Sequence, residues 1–291
     1  MPELHRRLVE VFEGMNATFE IVLVDDHDPY SSWDAVEQIC LADPRVHGIK
    51  LARNFGQIRA ITAGLDACKG DWVIVMDCDL QDRPEAIPQL YAKAMEGYDV
   101  VFAKRVERKD SPITLFFSRA FYKVYEYFTD GTYDASLCNF SIARRAVIEN
   151  YCKMREHNRG YTMFIKWLGF NQTSIEIEGD ERFAGSSSYS FSKKLAMAFE
   201  LITAQSNKPL KFSVNLGFTI SFLALLFLVV SVIRKLCFGD VSIGWTSLIC
   251  SVFLMGGLIL AAIGVVGLYV GNIFTEVKHR PLYVIEREVN N

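Results

Sequence analysis

Over its first hundred residues the chain alternates between apolar residues at helical spacing and short unbroken apolar runs. Leu4 to Met15 has helical spacing, and Phe19 to Val24 is an apolar run that ends in Asp25-Asp26. Trp33 to Leu41 is helical again, and Val46 to Leu51 reads as a strand. Gln57 to Cys68 reads as a helix opened by the turn Asn54-Phe55-Gly56. Trp72 to Met76 is a further strand that stops at Asp77-Cys78-Asp79. Pro84 starts the next helix at a favoured first-turn position, and Asp99 to Ala103 is the last strand of the series. Such alternation predicts an α/β domain whose parallel sheet is covered by helices on both faces.

The pattern changes in the last third. Leu216 to Ile233 carries no charge and is followed at once by Arg234-Lys235, and Trp245 to Val270 is uncharged and dotted with glycine. Each is long enough to cross a hydrocarbon core, which takes about 20 residues. The expected organisation is a domain over residues 1–190, a juxtamembrane helix over 191–214, transmembrane helices over 215–235 and 245–271, and a tail over 272–291. Lys193, Lys194, Lys208 and Lys211 precede the first span, and Lys278, His279 and Arg280 follow the second. The loop between them holds only Arg234, Lys235 and Asp240, so the positive-inside rule puts both ends in the cytoplasm. Glycines in the second span would let helices of neighbouring copies pack closely.

Composition narrows the function classes. A net charge of −3 gives no basic field for nucleic acid. Seven cysteines without C-x-x-C spacing argue against a zinc site or a disulfide framework and fit a reducing compartment. Two uncharged spans offer no polar pathway, which disfavours a channel.

The chemistry concentrates where strands end in acids. Asp25-Asp26 and Asp77/Asp79 reach the carboxyl edge of the expected sheet, where open α/β sheets bind ligands. Carboxylate and amide oxygens, here Asp77, Asp79 and Gln81, suit a hard cation such as Mg²⁺ or Mn²⁺ that shares its shell with a substrate phosphate. Two carboxylates this close repel each other without a cation.

The residues V-D-D (24–26), N-F-G (54–56), A-G-L-x-x-A-x-G-D (63–71) and D-x-D-L-Q-D-x-P-E (77–85) carry a resemblance. It continues through A-K-R (103–105), W-x-G-F (167–170), R-x-A-G-x-S-x-Y-S (182–190), N-K-P-L (207–210) and G-L-Y-x-G-x-I-x-x-E-V-K-x-R-P-L-Y (267–283). The chain resembles glycosyltransferase family 2, and within it the dolichol-phosphate-mannose-synthase-like and polyisoprenyl-phosphate glycosyltransferases. The resemblance implies a Rossmann-like GT-A domain that moves a sugar from a nucleotide diphosphate to a polyisoprenyl phosphate at the cytoplasmic face of the membrane. By it, Asp25, Asp26, Asn54 and Asp77 bind the nucleotide-sugar, and Asp77, Asp79 and Gln81 hold the metal. Lys104, Arg105 and Arg119 meet the acceptor phosphate, and Arg182 lies on a loop that closes over the donor. Residues Ile113 to Phe128, dense in Phe and Tyr, read as an amphipathic helix at the membrane surface.

Three departures stand out. Many relatives carry an acid in a G-D-F-R-L-like segment, where this chain has Cys138-Asn139-Phe140-Ser141-Ile142. Asn139 cannot act as a base, but a phosphate monoester, with a second pKa near ~6, is already largely ionised at neutral pH. Gln57 stands where relatives often carry Lys. Relatives also open with an apolar strand and a P-x-Y-N-E-like segment, which is absent here, so the expectation is a GT-A domain truncated before its first strand. The alternatives are a degenerate, non-catalytic membrane scaffold and a transferase acting on a glycolipid hydroxyl.

Overall fold

The computed structural model describes residues 1–29, 32–105, 137–177, 206–238 and 244–290. One compact unit takes Met1–Tyr189 together with Arg280–Asn291, and a second takes Ser190–His279.

In the first unit, helix α1 (Pro2–Gly14) leads to β1 (Ile21–Asp25), α2 (Ser32–Ala42), β2 (Val46–Leu51), α3 (Gln57–Ala67) and β3 (Trp72–Val75). A short 3-10 turn at Pro84–Ala86 opens α4 (Ile87–Ala94), followed by β4 (Val100–Arg105), β5 (Leu137–Arg144), α5 (Arg145–Lys153), α6 (Tyr161–Trp167) and β6 (Gln172–Ile177). The predicted elements up to β4 all form, within two residues of their expected ends. β5, β6, α5 and α6 were not anticipated.

The sheet differs from the expectation of one parallel sheet. It comes as two, ordered β1-β2-β7 and β3-β5-β4-β6, where β7 is Ile285–Val289 at the end of the chain. β1 runs parallel to β2 and β4 parallel to β6, but β2–β7, β3–β5 and β4–β5 are antiparallel. The physical reason is that β5 and β7 enter as returning strands between or beside the parallel ones, so the sheets are mixed.

β1 and β3 are each the end strand of their own sheet and do not pair with each other. At their amino ends the Glu20 carboxylate accepts the backbone N–H of Lys69 and of Gly70. At their carboxyl ends the 55–57 turn touches both Asp26 and Asp77. Among the described residues neither strand has a partner on its other edge.

One cluster ties the two sheets into a single core. It joins Leu4 and Leu8 of α1, Ile21, Val36 and Val46 to Ile87, Leu90, Val101, Phe140 and Ile142. Leu4 and Leu8 sit one turn apart, which puts both on the buried stripe of α1. β2 is buried along almost its whole length, as a strand covered on both faces should be. Gly48 on β2 lets α2 approach: a Cβ there would lie 2.8 Å from Cys40 Sγ and 3.1 Å from Val36 Cγ1.

The second unit contributes two long helices, α7 (Lys208–Phe238) and α8 (Trp245–Val277), over the two stretches predicted as spans. Among the described residues one stretch, the 24-residue Leu254–Val277, is long and apolar enough to cross a membrane, and none of it is buried. The chain then re-enters the first unit. β7 lies antiparallel on β2, with Lys50 bonded to Glu286 and Arg287 paired with Glu37. The sequence reading treats 272–291 as a tail, whereas the helix continues to Val277 and residues 285–289 form an edge strand.

Candidate active site

Four chain segments converge on one edge of the first unit. The end of β1 brings Asp25 and Asp26. Asp25 is 5% exposed, and its Oδ1 accepts the Ser32 hydroxyl at 2.6 Å and the Asp28 N–H at 3.4 Å. Asp26 uses each oxygen once on backbone: Oδ1 accepts the Phe55 N–H and Oδ2 the Gly56 N–H, both at 2.7 Å. The carboxylate thereby shapes the Asn54-Phe55-Gly56 turn. Gly56, with φ 96° and ψ 151°, occupies a backbone region open almost only to glycine, and it precedes α3 directly. Asn54 itself is exposed on this turn.

β3 brings the D-x-D turn. Asp77 Oδ1 accepts the Gln57 Nε2–H at 2.7 Å, from the first residue of α3. Asp79 Oδ1 accepts the Gln81 N–H at 3.1 Å, closing a local turn through Leu80, whose φ of 61° is left-handed. Gln81 is 6% exposed and Asp82 5%, so the chain dives inward behind the two acids. Asp77 and Asp79 remain half-buried.

β5 and β4 complete the edge. The last pair of the β3–β5 ladder is Val75↔Ser141, and two residues beyond it in each direction lie Asp77, past the end of β3, and Asn139 on β5. Asn139 is half-buried; its carbonyl accepts the Ser141 hydroxyl at 3.0 Å, and that hydroxyl lies 2.9 Å from the Tyr161 phenol oxygen. Burial pushes the Tyr161 phenol well above the ordinary tyrosine range, so it stays protonated. Lys104, at the end of β4, pairs in register with Leu137 of β5 and Glu176 of β6 and is half-buried. Arg105 is the last residue of that strand. The fold thus brings Asp26, Asn54, Asp77, Asp79, Gln81, Asn139 and Lys104 to one end of the sheets. Arg119 and Arg182, and the helix expected over Ile113 to Phe128, lie outside the described residues.

Among the described residues no group of three or more His, Cys, Asp or Glu side chains comes together as a ready cation cage. The donor set at the D-x-D turn is two carboxylates on one short loop. That suits an ion held by one or two protein carboxylates and completed by substrate phosphate and water, the usual habit of Mg²⁺.

Sequence reading missed the work of Gln57 and Arg59. Arg59 Nη1–H donates to the Phe55 carbonyl at 2.8 Å and Nη2–H to the His157 carbonyl at 3.5 Å, fastening the turn from its other side. The available signal was position: polar side chains in the first turn of a helix that starts at a sheet edge.

Comparison with known proteins adds to this geometry. The family model described as glycosyl transferase family 2 matches residues 2–152. An uncharacterized glycosyltransferase, YkcC, of Bacillus subtilis is 35% identical over 289 residues, covering 98% of this chain and 88% of that protein. A bactoprenol glucosyl transferase of Shigella phage SfV is 33% identical over 289 residues, covering 99% and 94%. An undecaprenyl-phosphate 4-deoxy-4-formamido-L-arabinose transferase of Pseudomonas savastanoi pv. phaseolicola is 33% identical over 295 residues, covering 100% and 87%.

Proposed function

Because this chain belongs to glycosyl transferase family 2 and is a glycosyltransferase, we propose that it transfers a sugar from a nucleotide diphosphate to a polyisoprenyl phosphate. The observation that carries the reading is the D-x-D turn at the carboxyl end of β3, in a chain matched along nearly its whole length by transferases named for bactoprenol and undecaprenyl phosphate.

The nucleotide-sugar lies across the edge made by Asp25, Asp26, Asn54 and Asp77. Asp77 and Asp79, with Gln81 beside them, hold Mg²⁺ or Mn²⁺. Such an ion, when bound, neutralises charge on the departing diphosphate. The acceptor phosphate, ionised at neutral pH, needs positioning rather than deprotonation. This makes an Asn sufficient at position 139, where it orients the acceptor or the sugar. Lys104 draws in the acceptor phosphate, a role the resemblance also gives to Arg105 and Arg119, while it assigns Arg182 to the donor. One acceptor phosphate oxygen bonds to the anomeric carbon as the bond from that carbon to the diphosphate breaks. The nucleoside diphosphate leaves with the bonding electrons, and the anomeric configuration inverts.

Chain topology supports a membrane hairpin. The chain leaves the first unit at residue 190 and returns to it at residue 280. If α8 crosses the bilayer, α7 has to cross as well for both ends to reach the same folded unit. That gives two spans, with the catalytic unit on the cytoplasmic side, the side favoured by Lys208 and Lys211 before the first span and Lys278 and Arg280 after the second.

The test is transfer of radiolabelled sugar in membranes holding the full chain, with polyisoprenyl phosphate, a panel of nucleotide-sugars, and Mg²⁺ or Mn²⁺. Label entering the lipid phase from one donor, and acid-labile as a sugar phosphate is, supports the reading. Label on a glycolipid hydroxyl instead, or none from any donor with folded protein, overturns it.

A further inference from the structure

Gln57 does something that neither strand-end acid pair explains. It is the first residue of α3 and lies exposed, yet its amide nitrogen sits 2.7 Å from Asp77 Oδ1. Its place is fixed from both sides. Asp26 holds the N–H groups of Phe55 and Gly56 at 2.7 Å each, and Arg59 holds the Phe55 carbonyl at 2.8 Å. The next residue is Gln57 itself. The acid at the end of β1 therefore reaches the acid at the end of β3 through a single turn and one side-chain amide.

We propose that Gln57 is a positioning residue for the Asp77 carboxylate, and that Asp26 sets it by clamping the turn before it. The inference rests on the reading of Asp77 and Asp79 as holders of a cation. A neutral amide suits this job. It donates one hydrogen bond to Oδ1, orienting the carboxylate, while adding no positive charge beside the cation. Partners of this kind, one layer behind the ligands, typically change metal affinity by 10–100-fold. With Gln57 exposed to water, the expected effect is at the low end, about tenfold.

The experiment measures Mn²⁺ affinity by electron paramagnetic resonance on the full chain in detergent, with methylenediphosphonate as a diphosphate lacking base and sugar. Gln57→Met keeps the length of the side chain and removes the donor. It should weaken Mn²⁺ binding about tenfold with an unchanged thermal midpoint. In an Asp77→Asn background the same change should shift affinity by less than about twofold, because its effect passes through the Asp77 carboxylate. Wild-type affinity in Gln57→Met, or the same loss in both backgrounds, overturns the inference and leaves the cation site standing. Mn²⁺ binding that ignores Asp77→Asn overturns the site reading, and the inference falls with it.

Discussion

Asp25-Asp26 at the end of β1 and Asp77-Cys78-Asp79 at the end of β3 look alike in sequence, and both are followed by a residue with left-handed backbone, His27 at φ 55° and Leu80 at φ 61°. Their surroundings differ. Asp25 is buried against Ser32, and Asp26 divides its two oxygens between two backbone N–H groups. Asp77 accepts from a side-chain amide, and Asp79 accepts the Gln81 N–H of its own turn. The first acid pair builds the platform, and the second stands on it. A carboxylate at a strand end is thus not a ligand by its position alone; what already bonds its oxygens sets how much of its work is architectural. Leu80 sharpens the contrast. The left-handed region costs a branched L-residue about 1–2 kcal/mol, strain of the kind that collects at functional turns.

The largest expected effect separates the two ends at once. Asp79→Ala should lower sugar transfer by at least about 10²-fold, the scale for losing one aimed electrostatic contact at a reacting centre. Its thermal midpoint should stay near wild type, because Asp79 is half-buried on a turn beyond the end of β3 rather than part of the core. Transfer by Asp79→Ala at wild-type rate would remove the D-x-D turn from the chemistry.

Asp26→Ala should do the reverse in emphasis. It strands two half-buried backbone donors at once, at a cost of about 1–3 kcal/mol. Denaturant unfolding should show the loss, and transfer should fall along with it as the turn loosens. A variant that loses transfer while keeping full stability would mean that Asp26 acts on the nucleotide directly rather than through the turn.

Gly56→Ala probes the same turn without touching a carboxylate. A Cβ at this position meets nothing within 4 Å, so any cost is backbone strain alone. Forcing a non-glycine residue into this region costs about 1–3 kcal/mol. The expected outcome is a lower unfolding midpoint with α3 otherwise intact by circular dichroism. An unchanged midpoint would show that the turn relaxes and that the Asp26 clamp is weaker than its geometry suggests.

Much of this arrangement could be read from the sequence, and the gaps have physical causes. β1, β2 and β3 were legible because each is an apolar run cut off by acids or by a polar turn. The long apolar helices declared themselves by the absence of charge. β7 was hidden because an edge strand faces water: Glu286, Arg287 and Glu288 read as a solvated tail, yet the first two bond Lys50 and Glu37. β5 was hidden because its polar positions, Asn139 and Ser141, drew attention as chemistry rather than as strand. The site's acids were visible as a motif. The division of labour between them was not, because it depends on backbone N–H groups contributed by a turn some thirty residues away from Asp26.

The smallest expected effect tests whether that reasoning carries over to a third carboxylate. After α8 the returning tail places Tyr283 against Ile49, Leu51 and Ala63, with its phenol donating to Asp66 Oδ2 at 2.6 Å. Burial first, and the Asp66 contact second, push the Tyr283 phenol well above its usual range, so it remains a donor across the neutral range. Asp66 has a second partner, since Arg155 grips both its oxygens at 2.8 and 3.0 Å. Tyr283→Phe therefore leaves no orphaned charge, unlike the loss of Asp26, which strands two donors. The cost should be only about 0.5–1.5 kcal/mol, the net worth of one hydrogen bond. It should appear as faster amide exchange in β7, which begins two residues after Tyr283, with sugar transfer within about twofold of wild type. Exchange in β7 that stays at the wild-type rate would mean that strand pairing with β2 holds the tail alone. A loss as large as that of Asp26→Ala would mean that Arg155 does not hold Asp66 once the phenol is gone, and that counting partners is a poor guide to what each carboxylate in this protein is for.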